Sequence, residues 1–505
     1  MRSRPVQRIK DVIRLRARQF AEDGGPLAHP VRPDSYAAID NLYTATVYEK
    51  GAELIRMLKT LIGERAFADG MQLYFNRHDG DATTIETFYQ CFEETSGKDL
   101  SHFRQWYSQP GTPTVEVSHD YDSWAGKLHL SFKQINPAVP GIAEPKPQVI
   151  PIAYAAFSRD GEKLTEDLFI LDKAEAEITI PAEAGPPLVS VNRGFSAPIR
   201  LDQKISDEDR LALAKIDDDA FNQWDAFQTL LKADLLAMAY EDQTFPNEAL
   251  ITALADAIRG AETDPAFAAL LARLPDVNEL FQERTPADPV ALDAARKKVQ
   301  RALAENLAED AARILSVPTP TPFLPDAEQA GKRALRTAMI GLTGALQTSA
   351  ADARVKAAFD AASNMTESLA ALRTLCAGTA PQKHTALEAF ESEWSENPLV
   401  MDKWFAAQTS TATAAEARAL LEHPAFDMGN PNRVRSVAAV FAMQNLAGFH
   451  AADGSGYELV ADVIRDADKR NPALAARLLT AFESWKALIP ETRAKAETVL
   501  KGLKG

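Results

Sequence analysis

The residues best placed to do chemistry lie between Asn41 and Gly63, in NLYTATVYEKGAELIRMLKTLIG. A polar and aromatic lead-in, Tyr43-Thr-Ala-Thr-Val-Tyr48, runs through Glu49-Lys50-Gly51 into a segment where Leu54, Leu58 and Leu61 recur at helical spacing, beside Ile55 and Ile62. Gly63 stands where a helix C-cap favours a residue able to take positive φ. The Tyr48 phenol is therefore predicted at the start of an anchored helix, where its hydroxyl can be aimed as a donor. A tyrosine at a helix start more often only packs or anchors through its hydroxyl, and Tyr43 reads equally well as an ordinary core aromatic. Glu49 and Lys50 read as a solvated pair, of which only the glutamate suits the helix dipole.

Other chemistries lack their patterns. The eight histidines, at 29, 78, 102, 119, 129, 384, 423 and 450, include no two at i, i+4, so there is no His-Glu-x-x-His helix to hold zinc. No other close cluster of histidine, cysteine and carboxylate has ligand spacing. There is no Gly-x-Ser-x-Gly elbow, phosphate-cradling glycine loop or dinucleotide fingerprint. Cys91 and Cys376 match no metal or redox spacing and read as reduced thiols of a cytoplasmic protein. From the residues alone, no active site is complete.

With 55 Lys and Arg against 71 Asp and Glu, the formal net charge is −16. Without a basic tract, such a chain has no electrostatic footprint for nucleic acid or an anionic membrane. The basic opening MRSRPVQRIKDVIRLRARQF lacks the apolar core of a signal peptide, and no uncharged apolar run is long enough to span a bilayer.

Three regions must position these residues. Residues 1–107 are helical in pattern, with capping-box spacing from Thr83 to Glu86 and an aromatic face ending at Tyr107, before the Ser108-Gln-Pro-Gly111 break. Residues 108–203 change period: Val115 alternates with Val117, and Leu128 with Leu130 and Phe132, with Arg159-Asp-Gly-Glu162 as a hairpin turn. Frequent prolines exclude long helices there, and a β-sandwich of immunoglobulin type is expected. Residues 204–505 are Ala- and Leu-rich helices broken by Pro246, Pro265, Pro275 and Pro398. One helical face is Phe221, Trp224, Phe227, Leu230 and Leu231, and the whole reads as an irregular α-solenoid without a strict repeat.

Along nearly its whole length the chain resembles bacterial zinc aminopeptidases of the aminopeptidase N, or alanyl aminopeptidase, family. The resemblance rests on Gln19-Phe-Ala-Glu-Asp23, His29-Pro-Val-Arg-Pro33, Tyr43 to Arg56 and Met71-Gln-Leu-Tyr-Phe75. It continues in Trp106-Tyr-Ser-Gln-Pro-Gly-Thr-Pro113, similar to the family's domain-closing Trp-x-x-Gln-x-Gly-x-Pro, and in Met401-Asp-Lys-Trp-Phe405 and Asn430-Pro-Asn-Arg-Val-Arg435. It implies the helical remainder of a thermolysin-like catalytic domain, then a β-sandwich, then a helical superhelical domain. In the family, zinc-activated water attacks the first peptide bond and a tyrosine stabilises the oxyanion. The resemblance gives Tyr48 that role and makes Tyr43 a wall of the pocket for the first side chain. It also implies that Arg435 and Arg477 reach into a substrate chamber to hold peptide carboxylate or carbonyl groups; without it they read as surface arginines.

Because the family's zinc ligands and general base lie upstream of the matched positions, the chain is expected to bind no zinc alone and to be inactive alone. Peptides with N-terminal Ala, Leu or basic residues are the implied substrates, and a complementing N-terminal fragment is a possible partner. With the facing half of that domain missing, the apolar helix faces of residues 1–107 are expected to be partly exposed. The alternative is a non-catalytic peptide- or protein-binding scaffold.

Overall fold

Helical periodicity gives way to alternation at the Pro110-Gly111 break, and the architecture changes there. The computed structural model describes residues 3–503 apart from 27, 37, 140, 141, 184, 320 and 321, and apart from the side chain of Gln282. Before the break lie α1 (Arg4–Arg14), α2 (Phe20–Asp23), α3 (Gly51–Ile62), α4 (Glu64–His78) and α5 (Ile85–Ser96). Helix α3 buries Leu54, Leu58, Leu61 and Ile62 of the predicted stripe together with Met57, leaves Ile55 half-buried, and Gly63 at φ 88° turns the chain into α4. The start of α5 differs from expectation by one residue. Thr84 caps it by accepting the Thr87 N–H, because the Thr83 hydroxyl is engaged 2.7 Å from the Tyr74 hydroxyl.

Seven strands follow among the described residues: β1 (Thr114–Asp122), β2 (Lys127–Ile135), β3 (Ile150–Phe157), β4 (Lys163–Leu171), β5 (Glu175–Pro181), β6 (Leu188–Val191) and β7 (Arg200–Gln203). They form two sheets, ordered β5-β2-β1-β7 and β4-β3-β6. Strand β7 runs parallel to β1 and every other pairing is antiparallel. The Arg159–Glu162 turn joins β3 to β4, with Gly161 at φ 89° where a side chain would be strained.

The sandwich core is continuous with the helices before it. Val115, Leu128, Leu130, Phe132, Ile150 and Ile152 lie in one buried cluster with Leu54, Met57, Leu58, Phe92 and Trp106. Trp106 is locked by its indole N–H, which donates to the Val149 carbonyl at 2.9 Å. The α3 face expected to be partly exposed is therefore buried. Before the break the exposed large apolar groups are Tyr36, Ile39, Tyr43 and Tyr48 on the lead-in and Phe75 on α4, so the expected exposure fails for α3 and is met on α4.

Helices α6 (Asp207–Ile216) and α7 (Ala220–Tyr240) come next. Phe221, Trp224, Phe227, Leu230 and Leu231 on α7 are all buried. Arg4–Phe227 forms one compact unit, and Gln228–Gly505 makes up nearly all of a second. The second unit is helical to Leu503, and its helices start by a recurrent device. Pro265, Pro289, Pro398, Pro431 and Pro472 each open a helix behind an aspartate or asparagine whose side chain caps it. Two of the predicted breaks, Pro265 and Pro398, are thus helix starts, while Pro246 and Pro275 fall in connections. Among the described residues no helix is long and apolar enough to cross a membrane.

Candidate functional site

Tyr48 sits in a π-helical turn, Thr46–Lys50, where the Gly51 N–H reaches the Thr46 carbonyl five residues back. Such turns insert a residue into a helix, re-aim its side chains and are frequent at functional sites. A helix start leaves N–H groups without partners inside the helix, and here those of Ala45, Thr46 and Val47 each find a side-chain acceptor. The Ala45 and Thr46 N–H groups donate to the Glu22 carboxylate at 3.4 and 2.7 Å. The Val47 N–H donates to Thr44 Oγ1 at 3.1 Å, and the Tyr48 N–H to the Thr44 carbonyl at 3.2 Å. His29 Nε2 lies 2.9 Å from the same Thr44 hydroxyl. A carboxylate against these donors also suits the positive end of the helix dipole.

The inner face of the turn is sealed. Thr46 and Lys50 are 0% and 1% exposed, whereas Tyr48 is 58% exposed. The Lys50 ammonium donates to Asp23 Oδ2 at 2.8 Å and to the Gly111 carbonyl at 3.0 Å. Asp23 also accepts the Gly111 N–H at 2.8 Å and the Thr112 hydroxyl at 2.9 Å. Burial alone would raise the Asp23 carboxyl, but Lys50, the Gly111 N–H and Gln19 hold it below its ordinary value. Burial pulls the Lys50 ammonium down in spite of Asp23. The reading of Glu49 and Lys50 as a solvated pair is corrected: Lys50 is buried against Asp23, because α2 brings its last residue beneath the turn. Glu49 is half-buried, 3.9 Å from Arg14.

Helix α3 behind the turn is fixed by a second buried pair. Arg8 grips Glu53 with both guanidinium arms, at 2.5 and 2.6 Å, and donates to the Gly194 and Phe195 carbonyls at 3.1 and 3.0 Å. On this base the Tyr43 and Tyr48 rings stack at 6.0 Å and 21°. Neither hydroxyl has a protein partner among the described residues.

In the second unit Arg435 opens another π turn, Arg435–Ala439, in which the Val440 N–H reaches the Arg435 carbonyl. Its guanidinium is exposed and donates to Asn432 Oδ1 at 3.1 Å. Arg477 is exposed on the helix Pro472–Leu479, which packs against that turn. The structure thus brings Tyr43 to Tyr48 within one unit, and places Arg435 and Arg477 on touching elements of the other. Glu22, Asp23, Thr44 and His29 support the turn and were not singled out from sequence. All four had only their membership of resembling motifs as a signal.

Among the described residues no group of three or more His, Cys, Asp or Glu side chains is arranged to hold a metal ion. Cys91 and Cys376 are buried free thiols.

Three family models match consecutive stretches: the peptidase family M1 domain over 5–107, a domain of unknown function, DUF3458, with an Ig-like fold over 111–204, and DUF3458_C, ARM repeats, over 207–505. Aminopeptidase N of Caulobacter vibrioides is 43% identical over 99% of this chain and 59% of its own length. Aminopeptidase N of Escherichia coli K12 is 38% identical over 100% of this chain and 60% of its own. The chain therefore spans about three fifths of these curated relatives. A crystal structure of Legionella pneumophila aminopeptidase A in complex with aspartic acid superposes with a TM-score of 0.78 at 28% identity, covering 98% of this chain and 58% of that one. With the ARM-repeat model spanning 207–505 and the aminopeptidase match running its whole length, the chain belongs to the aminopeptidase N family.

Proposed function

We propose that the chain works as part of a cytoplasmic aminopeptidase that removes N-terminal residues from peptides, with Tyr48 donating its hydroxyl hydrogen bond to the oxyanion as the peptide carbonyl becomes tetrahedral. What carries the reading is the Tyr48 phenol, exposed and with its hydroxyl unpartnered among the described residues, on a turn whose backbone donors and inner face are fully engaged. A donor fixed in advance costs no reorganisation when charge develops, which is the condition for stabilising an oxyanion. Tyr43, stacked beside it, is the wall against which the first side chain lies, with alanine, leucine and basic side chains preferred. Arg435 and Arg477 present guanidinium groups suited to a peptide carboxylate or carbonyl.

The described residues do not fit the zinc that the family implies. The chain's own contribution is the oxyanion donor and the pocket wall in 1–107 and the arginine anchors in 204–505, with the β-sandwich of 108–203 between them. The rest of the family's machinery belongs to the part of the relatives that the chain does not match.

The test combines the chain with the part of a relative aminopeptidase N that it does not match. Release of alanine, leucine and arginine from chromogenic amides is then followed. Tyr48→Phe is expected to lower kcat by about 10²–10³-fold, with a much smaller change in KM, since the ground-state complex does not use the bond. Activity unchanged by Tyr48→Phe removes the catalytic role. A combination that binds peptide but never turns over favours the non-catalytic scaffold.

A further inference from the structure

Two consecutive carboxylates at the end of α2 hold the two ends of the Tyr48 turn. Glu22 takes the N–H groups at its start, and Asp23 takes Lys50 at its end. We infer that the buried Asp23–Lys50 pair is a positioning device: it selects the π register of Thr46–Lys50 and so aims the Tyr48 phenol outward.

A buried ion pair is a poor source of net stability, because removing both charges from water offsets most of their attraction. Its best-attested use is to fix one register among several that pack almost equally well. The geometry here has that character. The ammonium is held at 2.8 Å from Asp23 Oδ2 and 3.0 Å from the Gly111 carbonyl, with the Trp106 ring 5.7 Å away. Asp23 is tied to the same loop through the Gly111 N–H and the Thr112 hydroxyl. Lys50 has one place to go, and both its partners lie far from it in sequence.

An ordinary α-helical turn over the same residues would close one residue earlier and rotate what precedes it by about 100° relative to Lys50. With Lys50 pinned, the alternative register would swing Tyr48 away from its outward direction and Thr46 out of its buried site. Apolar contacts alone discriminate weakly between the two registers, because Val47 and Tyr48 make no sealed packing. The directional demands of an ammonium and a carboxylate discriminate strongly. Asp23 and Lys50 touch no substrate in this scheme and act only through Tyr48.

The experiment replaces both charges together, Asp23→Leu with Lys50→Met, so that no unpaired charge stays buried. In the whole chain carrying 3-fluorotyrosine at position 48, the wild-type background is expected to give one ¹⁹F line. The double variant is expected to keep a cooperative thermal transition within about 5 °C while that line shifts or splits. A single unmoved line overturns the inference.

A second readout rests on the proposed oxyanion role and uses the complemented enzyme. There the double variant is expected to lower kcat by at least about 10-fold with KM little changed. Tyr48→Phe in the same assay separates the two failures. If Tyr48→Phe has no effect, the oxyanion role fails and the ¹⁹F readout alone decides the positioning role. If Tyr48→Phe lowers kcat and the double variant does not, the positioning role fails. Should the double variant not fold, Thr112→Val, which removes one donor from Asp23, is read by ¹⁹F with the same criteria.

Discussion

Two π turns, one in each unit, present the candidate side chains: the first ends on a buried cation two residues after its exposed group, and the second follows a helix that holds a buried cation two residues before its exposed group. Tyr48 has Lys50 on Asp23; Arg435 has Arg433 on Asp402 at 2.6 Å. They differ in how tightly that cation is sealed. Lys50 and Asp23 are 1% and 0% exposed in their side chains, whereas Asp402 keeps 16% exposure beside Arg433. Arg433 is also shared among the Ala425 and Pro398 carbonyls and the Phe405 ring. The exposed groups differ accordingly. The Tyr48 hydroxyl has no partner among the described residues, while Arg435 rests on Asn432. A group that must meet a developing charge at one point needs a rigid base. A long cation that gathers a flexible peptide needs only to be near.

The largest expected effect breaks the comparison at its buried cations. Lys50→Met leaves the Asp23 charge sealed and unpaired and is expected to cost about 3–5 kcal/mol in denaturant unfolding. Arg433→Met is expected to cost about 2–3 kcal/mol, because Asp402 regains water. Equal losses would show that sealing does not distinguish the two turns.

Acid separates the units next. In the second unit His450 Nδ1 lies 2.6 Å from the Tyr457 hydroxyl, and burial pushes its imidazole from 6.5 down to about 4. Between those values the unfolded chain binds a proton that the folded chain does not, so stability falls as pH drops from about 6.5 towards 4. At pH 5 the second unit is expected to lose about 2 kcal/mol relative to neutral pH, and His450→Gln to remove most of that dependence. The Asp23 carboxyl is depressed instead, so its contribution stays until pH falls below the ordinary aspartate value near 3.9. Denaturation followed with probes in each unit, at pH 7 and pH 5, checks this.

Caps are expected to give smaller changes. Asn430 accepts the Asn432 and Arg433 N–H groups at 3.0 and 3.4 Å, alone at its helix start. Asn430→Ala should cost about 1 kcal/mol, and Thr44→Val about half of that, because Glu22 still holds the first two donors beside Thr44. The smallest effects belong to the exposed groups. Tyr48→Phe and Arg435→Ala are each expected to leave stability within about 0.5 kcal/mol. In the complemented enzyme they should separate, Tyr48→Phe acting on kcat and Arg435→Ala mainly on KM.

Much of this was legible from local pattern, and the failures share one cause. Leu54, Leu58 and Leu61 announced α3, and the alternation of Leu128, Leu130 and Phe132 announced β2, because periodicity reports which face each element buries. Lys50 was misread because a lysine after a glutamate at a helix start is normally solvated. Thr84 displaced Thr83 as a cap because a tyrosine nine residues earlier claimed the Thr83 hydroxyl.

By itself, the sequence determined the main elements, their order and the β-sandwich between two helical regions. Each of those follows from residues within a few turns of one another. Only the tertiary structure decided that Tyr48 sits on a π turn, that Glu22 and Asp23 hold that turn from beneath, and that Lys50 is sealed inside. Asp23 meets Lys50 across 27 positions and Gly111 across 88. Contacts at such separations are set by which faces pack together, and a buried charge leaves no periodic trace in the chain.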